Sequence, residues 1–400
     1  MIFDSFLKNK KQIGEFNENQ APEKQILAIK GANIFLVFKC SVILCHVMKN
    51  TSLSNPNKAI IGWLLTGCAL VYIMVVVGCI TRLTHSGLSI TDWNFMGSLP
   101  PLSEDDWFAR FQKYQTSPEF IYKNSTMTME EFKSIFWWEY IHRSIGNTMM
   151  GVFLAGFIWF VVRKRFDKPM LMKAIFLFGL GALQGLIGWW MVKSGLVKDP
   201  NVSHYRLAIH LMSAFSVFAF TFWFALQLIY PGEKIAESEG KKLNKVTIIL
   251  FVVLILQIVY GAFVAGLKAG LFYPTWPKMG DEWFPEETIM IEDSFIRNFL
   301  EVGAGVQFMH RTIALIVVLC VAWLWSKSSK LSLTKQQGRG ITLLIYGVTI
   351  QFMLGVFTLL YQVPVVLGVL HQTGAFFLFA TTIYLLFHIN AKPAIGNARA

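Results

Sequence analysis

The sequence predicts an all-α polytopic membrane protein, with eight transmembrane helices arranged as two pseudo-two-fold-related four-helix bundles. Of its 400 residues, 54% are hydrophobic and 15% are charged, and the mean hydropathy is +0.50. Soluble domains rarely reach these values. Eight apolar runs each supply the ~20 residues needed to cross a hydrocarbon core of ~30 Å. The second half of the chain also repeats the first.

Residues 1–57 are a predicted N-terminal leader that we expect to be poorly ordered. Lys8–Lys24 is polar, and such segments bury too little apolar surface to fold. Ile34–Val47 is apolar, but it is short for a span and contains Lys39. It also lacks the small-residue cleavage site of a signal peptide. We expect residues 1–47 to be an extension that precedes an ordinary start at Met48.

The eight predicted spans form two groups of four. An N-terminal bundle covers residues 58–230, a linker covers 231–245, and a C-terminal bundle covers 246–400. The predicted spans are Ala59–Ile80, Ile141–Val162, Met170–Val192, Ser203–Tyr230, Val246–Leu267, Val306–Trp325, Ile341–Tyr361 and Val363–Ile389.

The basic residues predict the orientation in the membrane. They cluster in the connections after spans two, four and six, at 163–168, 234–245 and 327–339. The positive-inside rule makes these connections, and both termini, cytoplasmic. We therefore expect a multi-pass protein of a bacterial inner membrane, with the connections Thr81–Tyr140 and Lys268–Gly305 outside. The net charge of +12 sets topology and does not indicate nucleic-acid binding, because no soluble basic face is present.

The five cysteines predict no structural disulfide. They form no CxxC or CxxCH motif. Cys68, Cys79 and Cys320 lie in apolar spans, where cysteine usually packs as a small hydrophobic residue.

The internal repeat is parallel, because each half contains an even number of spans. His142-Arg143 recurs 168 residues later as His310-Arg311, and His210 recurs 161 residues later as His371. Other matched positions are Gly78 with Gly261, Gly87 with Gly270, Leu88 with Leu271, Trp93 with Trp276, Met96 with Met279, Gly97 with Gly280, Gln184 with Gln351, Gly188 with Gly355, Ala214 with Ala375, Phe215 with Phe376 and Phe218 with Phe379.

The duplicated histidines predict two haem sites. Each half places one histidine near the outer start of its second span and one in its fourth span. Ionisable side chains inside a membrane are costly and usually functional. Imidazole pairs on facing helices hold a haem iron from both sides. Zinc is disfavoured because each bundle supplies two histidines without further ligands to complete a tetrahedron.

Three arginines are candidates for binding haem propionates. Arg143 and Arg311 each follow a candidate ligand, and Arg82 lies at the outer end of span one. A forked guanidinium suits a carboxylate. The alternative is that these arginines are interfacial anchors.

One difference between the halves predicts which half is catalytic. Glu139 precedes His142 by three residues, whereas Gln307 precedes His310 by three. A glutamate beside a haem moves protons or stabilises developing positive charge, whereas glutamine does not titrate. The alternative is that Glu139 is a first-turn residue favoured by the helix dipole.

From about Lys58 to the C-terminus, the chain resembles the haem A synthase family, in its proteobacterial and mitochondrial branch. The resemblance rests on Thr81–Thr84, Ser86–Ser89, Glu139–Arg143, Tyr273–Pro277, His310-Arg311, His210 and His371. It implies an oxidoreductase that converts a ring methyl group of haem O, the substrate, into the formyl group of haem A for cytochrome oxidase.

The resemblance also implies residue roles and partners. His310 and His371 would hold a resident haem B, while His142 and His210 would embrace the substrate haem beside an essential Glu139. Expected partners are membrane lipid, a haem O synthase and the cytochrome oxidase assembly machinery, with an unidentified electron partner and a homo-oligomer as further expectations. The cysteine pair of some bacterial members is absent from the first outer connection.

Two other classes compete with this interpretation. A two-haem b-type electron-transfer cytochrome would share the four histidines but would not require Glu139. A duplicated transporter would usually have broken helices or charged residues near the midplane, and the sequence shows neither.

Overall fold

The computed structural model describes residues 57–92, 99–196, 200–231, 239–292 and 294–390. Within these ranges eight helices are long and apolar enough to span a membrane, and no strand occurs. They are α1 (Lys58–Leu83), α2 (Met129–Val162), α3 (Lys168–Lys193), α4 (His204–Ile229), α5 (Asn244–Gly266), α6 (Gly303–Ser328), α7 (Lys335–Leu360) and α8 (Val365–Asn390). The predicted all-α class and eight spans are confirmed. The predicted leader, except Asn57, and positions 232–238 of the linker lie outside the described residues.

Polar caps mark the starts of several helices. The Asp167 carboxylate accepts a hydrogen bond from the Met170 amide at 2.8 Å at the start of α3. Thr334 and Gln337 form a reciprocal capping box at the start of α7. Such caps satisfy first-turn amides that have no partner within the helix.

Helix α2 begins at Met129, well before the predicted start at Ile141. A capping box between Thr128 and Glu131 starts it. Its extra turns lie outside the apolar run and pack against the surface helix Glu104–Gln115. The contact is an aromatic layer formed by Trp107, Phe111 and Tyr114 of the surface helix and Phe132 and Phe136 of α2. The prediction that Glu139 and His142 lie near a helix start is therefore wrong, and both lie inside a continuous helix.

The two halves pack in the same pattern. In the first half α1 packs against α2 and α4, and α3 packs against α4; in the second half α5 packs against α6 and α8, and α7 packs against α8. Between the halves, α4 packs against α5 and α8 packs against α1. Each of these contacts has its counterpart when the halves are exchanged, as the predicted pseudo-two-fold relation requires.

Aromatic contacts between α4 and α8 are also preserved when the halves are exchanged. Phe215 contacts Phe376, its own repeat counterpart, with ring centroids 5.4 Å apart. Phe215 also contacts Phe379 at 5.0 Å, and the counterpart pair Phe218 and Phe376 lies at 4.4 Å. These contacts join the halves through residues that the repeat had already matched.

Candidate functional site

A cavity of about 1520 Å³, hereafter the first-half cavity, is lined mainly by first-half residues. Second-half residues also line it: Gly261, Ala262, Ala265, Lys268 and Gln372. Its lining includes all the site residues predicted for this half: Arg82, Glu139, His142, Arg143 and His210. The cavity exceeds the roughly 300–1,000 Å³ of typical ligand pockets. It has room for a ligand larger than a common metabolite.

Glu139 is held in the cavity wall by three donors. Its side chain is 3% exposed and forms an ion pair with Arg143 at 2.5 Å. The second carboxylate oxygen accepts hydrogen bonds from the Ser89 hydroxyl at 2.7 Å and the Ile90 amide at 2.8 Å. Since Glu139 is ten residues into α2, the alternative that it is a first-turn residue favoured by the dipole is wrong. Its contacts with Ser89 and Ile90 are tertiary, and its contact with Arg143 lies within α2.

Arg143 and Arg311 hold equivalent outer segments. Arg143 donates to the carbonyls of Ile90 at 2.9 Å and Asp92 at 2.8 Å. Arg311 donates to the carbonyl of Tyr273 at 2.7 Å, and Tyr273 lies 183 residues after Ile90, the repeat offset of these connections. Both guanidiniums therefore fasten the chain that follows the first helix of their half.

Gln307 occupies the position of Glu139, but it donates a hydrogen bond to the neighbouring backbone instead of accepting one. Its amide nitrogen donates to the Tyr273 carbonyl at 3.3 Å, whereas Glu139 accepts from the Ile90 amide. The segment after the first helix is thus held in both halves, but the matched position carries a carboxylate in the first half and an amide in the second.

Each of the four histidines lies against a glycine of the adjacent helix. A Cβ atom added to Gly78 would lie 3.1 Å from Cε1 of His142, and one added to Gly188 would lie 3.0 Å from Cε1 of His210. In the second half the distances are 3.3 Å from Gly261 to His310 and 2.9 Å from Gly355 to His371. These glycines belong to repeat pairs, so the repeat preserves the space that each imidazole occupies.

The second-half histidines face each other directly. The ring centroids of His310 and His371 are 6.4 Å apart and their planes are inclined at 76°. Two imidazoles bonded at about 2 Å to opposite sides of one metal have ring centres roughly 6 Å apart. The separation therefore suits a single iron between them.

Arg82 joins the two halves. Its guanidinium donates to the carbonyls of Ala265 and Gly266, each at 3.0 Å, at the C-terminal end of α5. Such carbonyls lack partners within the helix and attract cations. Arg82 lines the first-half cavity as well, so its position serves both α5 and the cavity wall.

Glu119 is a cavity-lining acid that the sequence analysis missed. It lies on the short surface helix Pro118–Lys123, is 6% exposed, and accepts a hydrogen bond from the Tyr114 hydroxyl at 3.2 Å. Burial raises its pKa to about 7. The signal available in sequence was weak, because Ser117-Pro118-Glu119 reads only as a helix start. The packing that buries this carboxyl, including its contact with Tyr114, forms only in the folded protein.

Comparison with known proteins places the chain in a family. The model of the COX15-CtaA family, described as cytochrome oxidase assembly protein, matches residues 62–383. This chain belongs to that family. The haem A synthase of Flavobacterium psychrophilum is 48% identical over 334 residues, covering 82% of this chain and 98% of that relative. The haem A synthase COX15 of Arabidopsis thaliana is 40% identical over 342 residues, covering 83% of this chain and 74% of that relative.

The geometry of the two histidine pairs bears on whether each pair could hold a haem iron. The Nδ1 atoms of His142, His210 and His310 are buried and have no hydrogen-bond partner within the described part of the chain. His142 and His210 line one cavity, and His310 and His371 face each other. Two imidazoles for each half match the donor set of a six-coordinate haem. The residues therefore fit two haems.

Proposed function

We propose that this chain is a haem A synthase, an oxidoreductase that converts a ring methyl group of haem O into a formyl group. His142 and His210 hold the substrate haem in the first-half cavity, and His310 and His371 hold haem B. One observation carries the assignment of roles. Glu139 is fixed in the wall of the first-half cavity by Ser89, Ile90 and Arg143, whereas the second half has Gln307 at that position.

The bound haem B supplies a one-electron redox centre, and a methyl-to-formyl conversion removes four electrons in total. The protein's own contribution would be a fixed carboxylate in the wall of the cavity that would hold the ring. Three donors hold the Glu139 carboxylate, and such preorganised groups stabilise developing charge without reorganising. This arrangement favours stabilisation of positive charge over proton carriage by a mobile side chain.

The lining of the first-half cavity suits a large lipid-soluble substrate. Val152 of α2 and Phe178 and Leu186 of α3 line the cavity and also belong to the exposed apolar residues. Haem O carries a farnesyl tail, which an apolar wall between these helices would accommodate. The polar residues Arg82, Glu119 and Lys123 line the same cavity, so a substrate with one charged edge and one apolar tail would have a preferred orientation.

The setting of the protein follows from the same proposal. By the positive-inside rule, the basic connections support cytoplasmic termini, with the outer surface helices on the opposite side of what we take to be a bacterial inner membrane. Membrane lipid surrounds the spans, a haem O synthase supplies the substrate, and the cytochrome oxidase assembly machinery receives the product. The proposal also includes an electron partner of unidentified nature and a homo-oligomer. Fusions of a topology reporter to residues of the 163–168 and 104–115 segments would report opposite sides.

Pigment analysis tests the proposal. The protein is expressed with and without a haem O source, and extracted haems are separated and weighed by mass spectrometry. We expect formyl haem only when the protein and haem O are both present. Glu139→Gln should lower conversion at least about 100-fold while the resident haem stays bound, by analogy with loss of a preorganised electrostatic group.

The matched control is Glu130→Gln, the same substitution at an exposed position of the same helix. Full conversion by Glu139→Gln would refute the catalytic role. Two permanently bound b-type haems with no formyl product in the wild type would favour the electron-transfer cytochrome instead.

A further inference from the structure

The fourth-helix histidines of the two halves have different neighbours, although the repeat matches the glutamine and the glycine of the adjacent helix. His210 and His371 are counterparts, as are Gln184 and Gln351 on the adjacent helix. Three residues after each histidine the halves differ: the first has Ser213 and the second has Gly374. A spacing of three residues puts these positions on the same helix face as the histidines.

In the first half the glutamine is held away from the imidazole ring. The Gln184 amide nitrogen donates to the backbone carbonyl of His210 at 3.2 Å. The Ser213 hydroxyl donates to the Gln184 amide oxygen and contacts the His210 carbonyl at 2.9 Å. Both ends of the amide are therefore engaged, and the buried Nδ1 atom of His210 finds no partner among the described residues.

In the second half the glutamine reaches the ring. The Gln351 amide nitrogen lies 3.1 Å from Nδ1 of His371. Gly374 makes this possible, because a Cβ atom at that position would collide with the Gln351 amide oxygen. A serine at position 374 would therefore displace the side chain that contacts His371.

The chemistry of a ligating imidazole fixes the direction of this hydrogen bond. A histidine that binds iron through Nε2 carries a proton on Nδ1. The Gln351 amide oxygen is buried without a partner in the described chain. Exchanging amide nitrogen and oxygen, which occupy nearly the same space, places that oxygen on the Nδ1 proton. An acceptor at Nδ1 orients the ring and makes the histidine a stronger ligand.

We propose that Gln351 is a positioning residue that accepts the Nδ1 proton of His371 and so retains the resident haem, whereas Ser213 withholds this contact from His210 and leaves the substrate haem exchangeable. An enzyme that keeps one haem and releases another needs its two matched sites to hold haem with different strength. The inference rests on the proposed function, because it takes the second-half haem as resident and the first-half haem as substrate.

Haem transfer from the detergent-solubilised protein to apomyoglobin tests the resident site. Gln351→Leu removes the acceptor at similar volume, and Gly374→Ser displaces it. We expect each to weaken haem retention by roughly 10- to 100-fold, the usual effect of losing an outer-shell partner of a metal ligand. The low-spin electron paramagnetic resonance signal of the resident haem should shift as well. Gln351→Glu, which keeps an acceptor oxygen, should retain haem like the wild type.

The control is Gly338→Ser on α7, where an added Cβ meets nothing within 4 Å. Helix content measured by circular dichroism identifies any variant that fails to fold. If Gly374→Ser does not fold, Gln351→Leu and Gln351→Glu decide the question. Wild-type transfer rates and an unshifted signal in a folded Gln351→Leu protein would overturn the proposal, as would equal haem loss in Gln351→Leu and Gln351→Glu.

The first-half part of the proposal has its own test. Ser213→Gly removes the hydroxyl that holds the Gln184 amide oxygen. It should raise the amount of haem O or haem A that co-purifies, while leaving the resident haem unchanged. No increase would overturn that part. A wild-type protein that retains haem but makes no formyl product would refute the proposed function alone. A wild-type protein with no resident haem would refute the second-half haem site itself.

Discussion

Glu139 and Arg143, one turn apart on α2, form an ion pair of 2.5 Å in which the carboxylate is 3% exposed and the arginine side chain is 21% exposed. The same arginine also binds the carbonyls of Ile90 and Asp92. The pair therefore couples the proposed catalytic acid to the loop that follows α1, and a change at either residue affects both the charge and the loop.

Replacing Arg143 with glutamine should destabilise the protein by about 3 kcal/mol, the lower end of the range for breaking a buried pair. Ser89 and Ile90 still donate to the carboxylate, which limits the loss. The double variant Glu139→Gln with Arg143→Gln should recover most of this stability without recovering haem conversion. Chemical unfolding of the four proteins in a double-mutant cycle measures the coupling. A single Arg143→Gln variant as stable as the wild type would contradict the buried pair.

Alanine at the four glycines that face the histidines should disturb the haem sites selectively. Gly261→Ala should alter the absorption spectrum of the resident haem, because the new methyl group would lie 3.3 Å from His310. Gly78→Ala should instead lower haem A formation, since it displaces His142. Gly62→Ala on α1 is the control, with nothing within 4 Å of its added methyl group. Identical effects of all three changes would argue against specific contact with the imidazoles.

Glu119 should make stability depend on pH. Burial raises its pKa to about 7 from an ordinary value of 4.5, so the folded protein binds this proton more tightly than the unfolded chain. Stability should fall as pH rises from 4.5 to 7 and then level off, with a total loss of up to about 3 kcal/mol from this group. Arg82 and Lys123 oppose the shift, and Glu139 adds to it.

Glu119→Gln should remove that loss. Thermal unfolding at pH 5 and pH 8 provides the comparison, with Glu130→Gln as an exposed control. A variant that keeps the wild-type difference between the two pH values would show that Glu119 is not the responsible group.

Arg82→Met should separate two roles of this arginine. It removes both hydrogen bonds to the last turn of α5, and we expect a loss of about 1–3 kcal/mol in stability. If Arg82 also binds a propionate of the substrate, the KM for haem O should rise as well. An increase in KM at unchanged stability would mean that the contact with α5 is energetically minor.

The sequence predicted the parts of the molecule that lipid stabilises. All eight spans follow from the apolar runs, and the repeat singled out the four histidines and Glu139, whose roles stay predictions. The start of α2 was missed because protein contacts stabilise its outer turns, although Thr128 and Glu131 already formed a visible capping pattern. Glu119 was missed because its burial arises from packing in the folded protein, which the residues next to it in sequence do not indicate.

The repeat also matched glycines whose role depends on how the helices pack. The sequence shows that these glycines recur, but only the packed helices show that each lies against a histidine. The difference between Ser213 and Gly374 can be read in the sequence as well. Its effect follows only from the structure, where Gly374 leaves room for Gln351 beside His371. Packing partners across helices are what a single sequence does not supply.

The contact between Phe215 and its own counterpart Phe376 bears on how such a protein arises. A contact between two copies of the same residue is typical of a homodimer with two-fold symmetry. A four-helix ancestor assembled in this way would carry two identical sites, and any substitution would change both. Fusion of two copies into one polypeptide removes that constraint. One half can then keep an acid while the other changes so that it retains its haem.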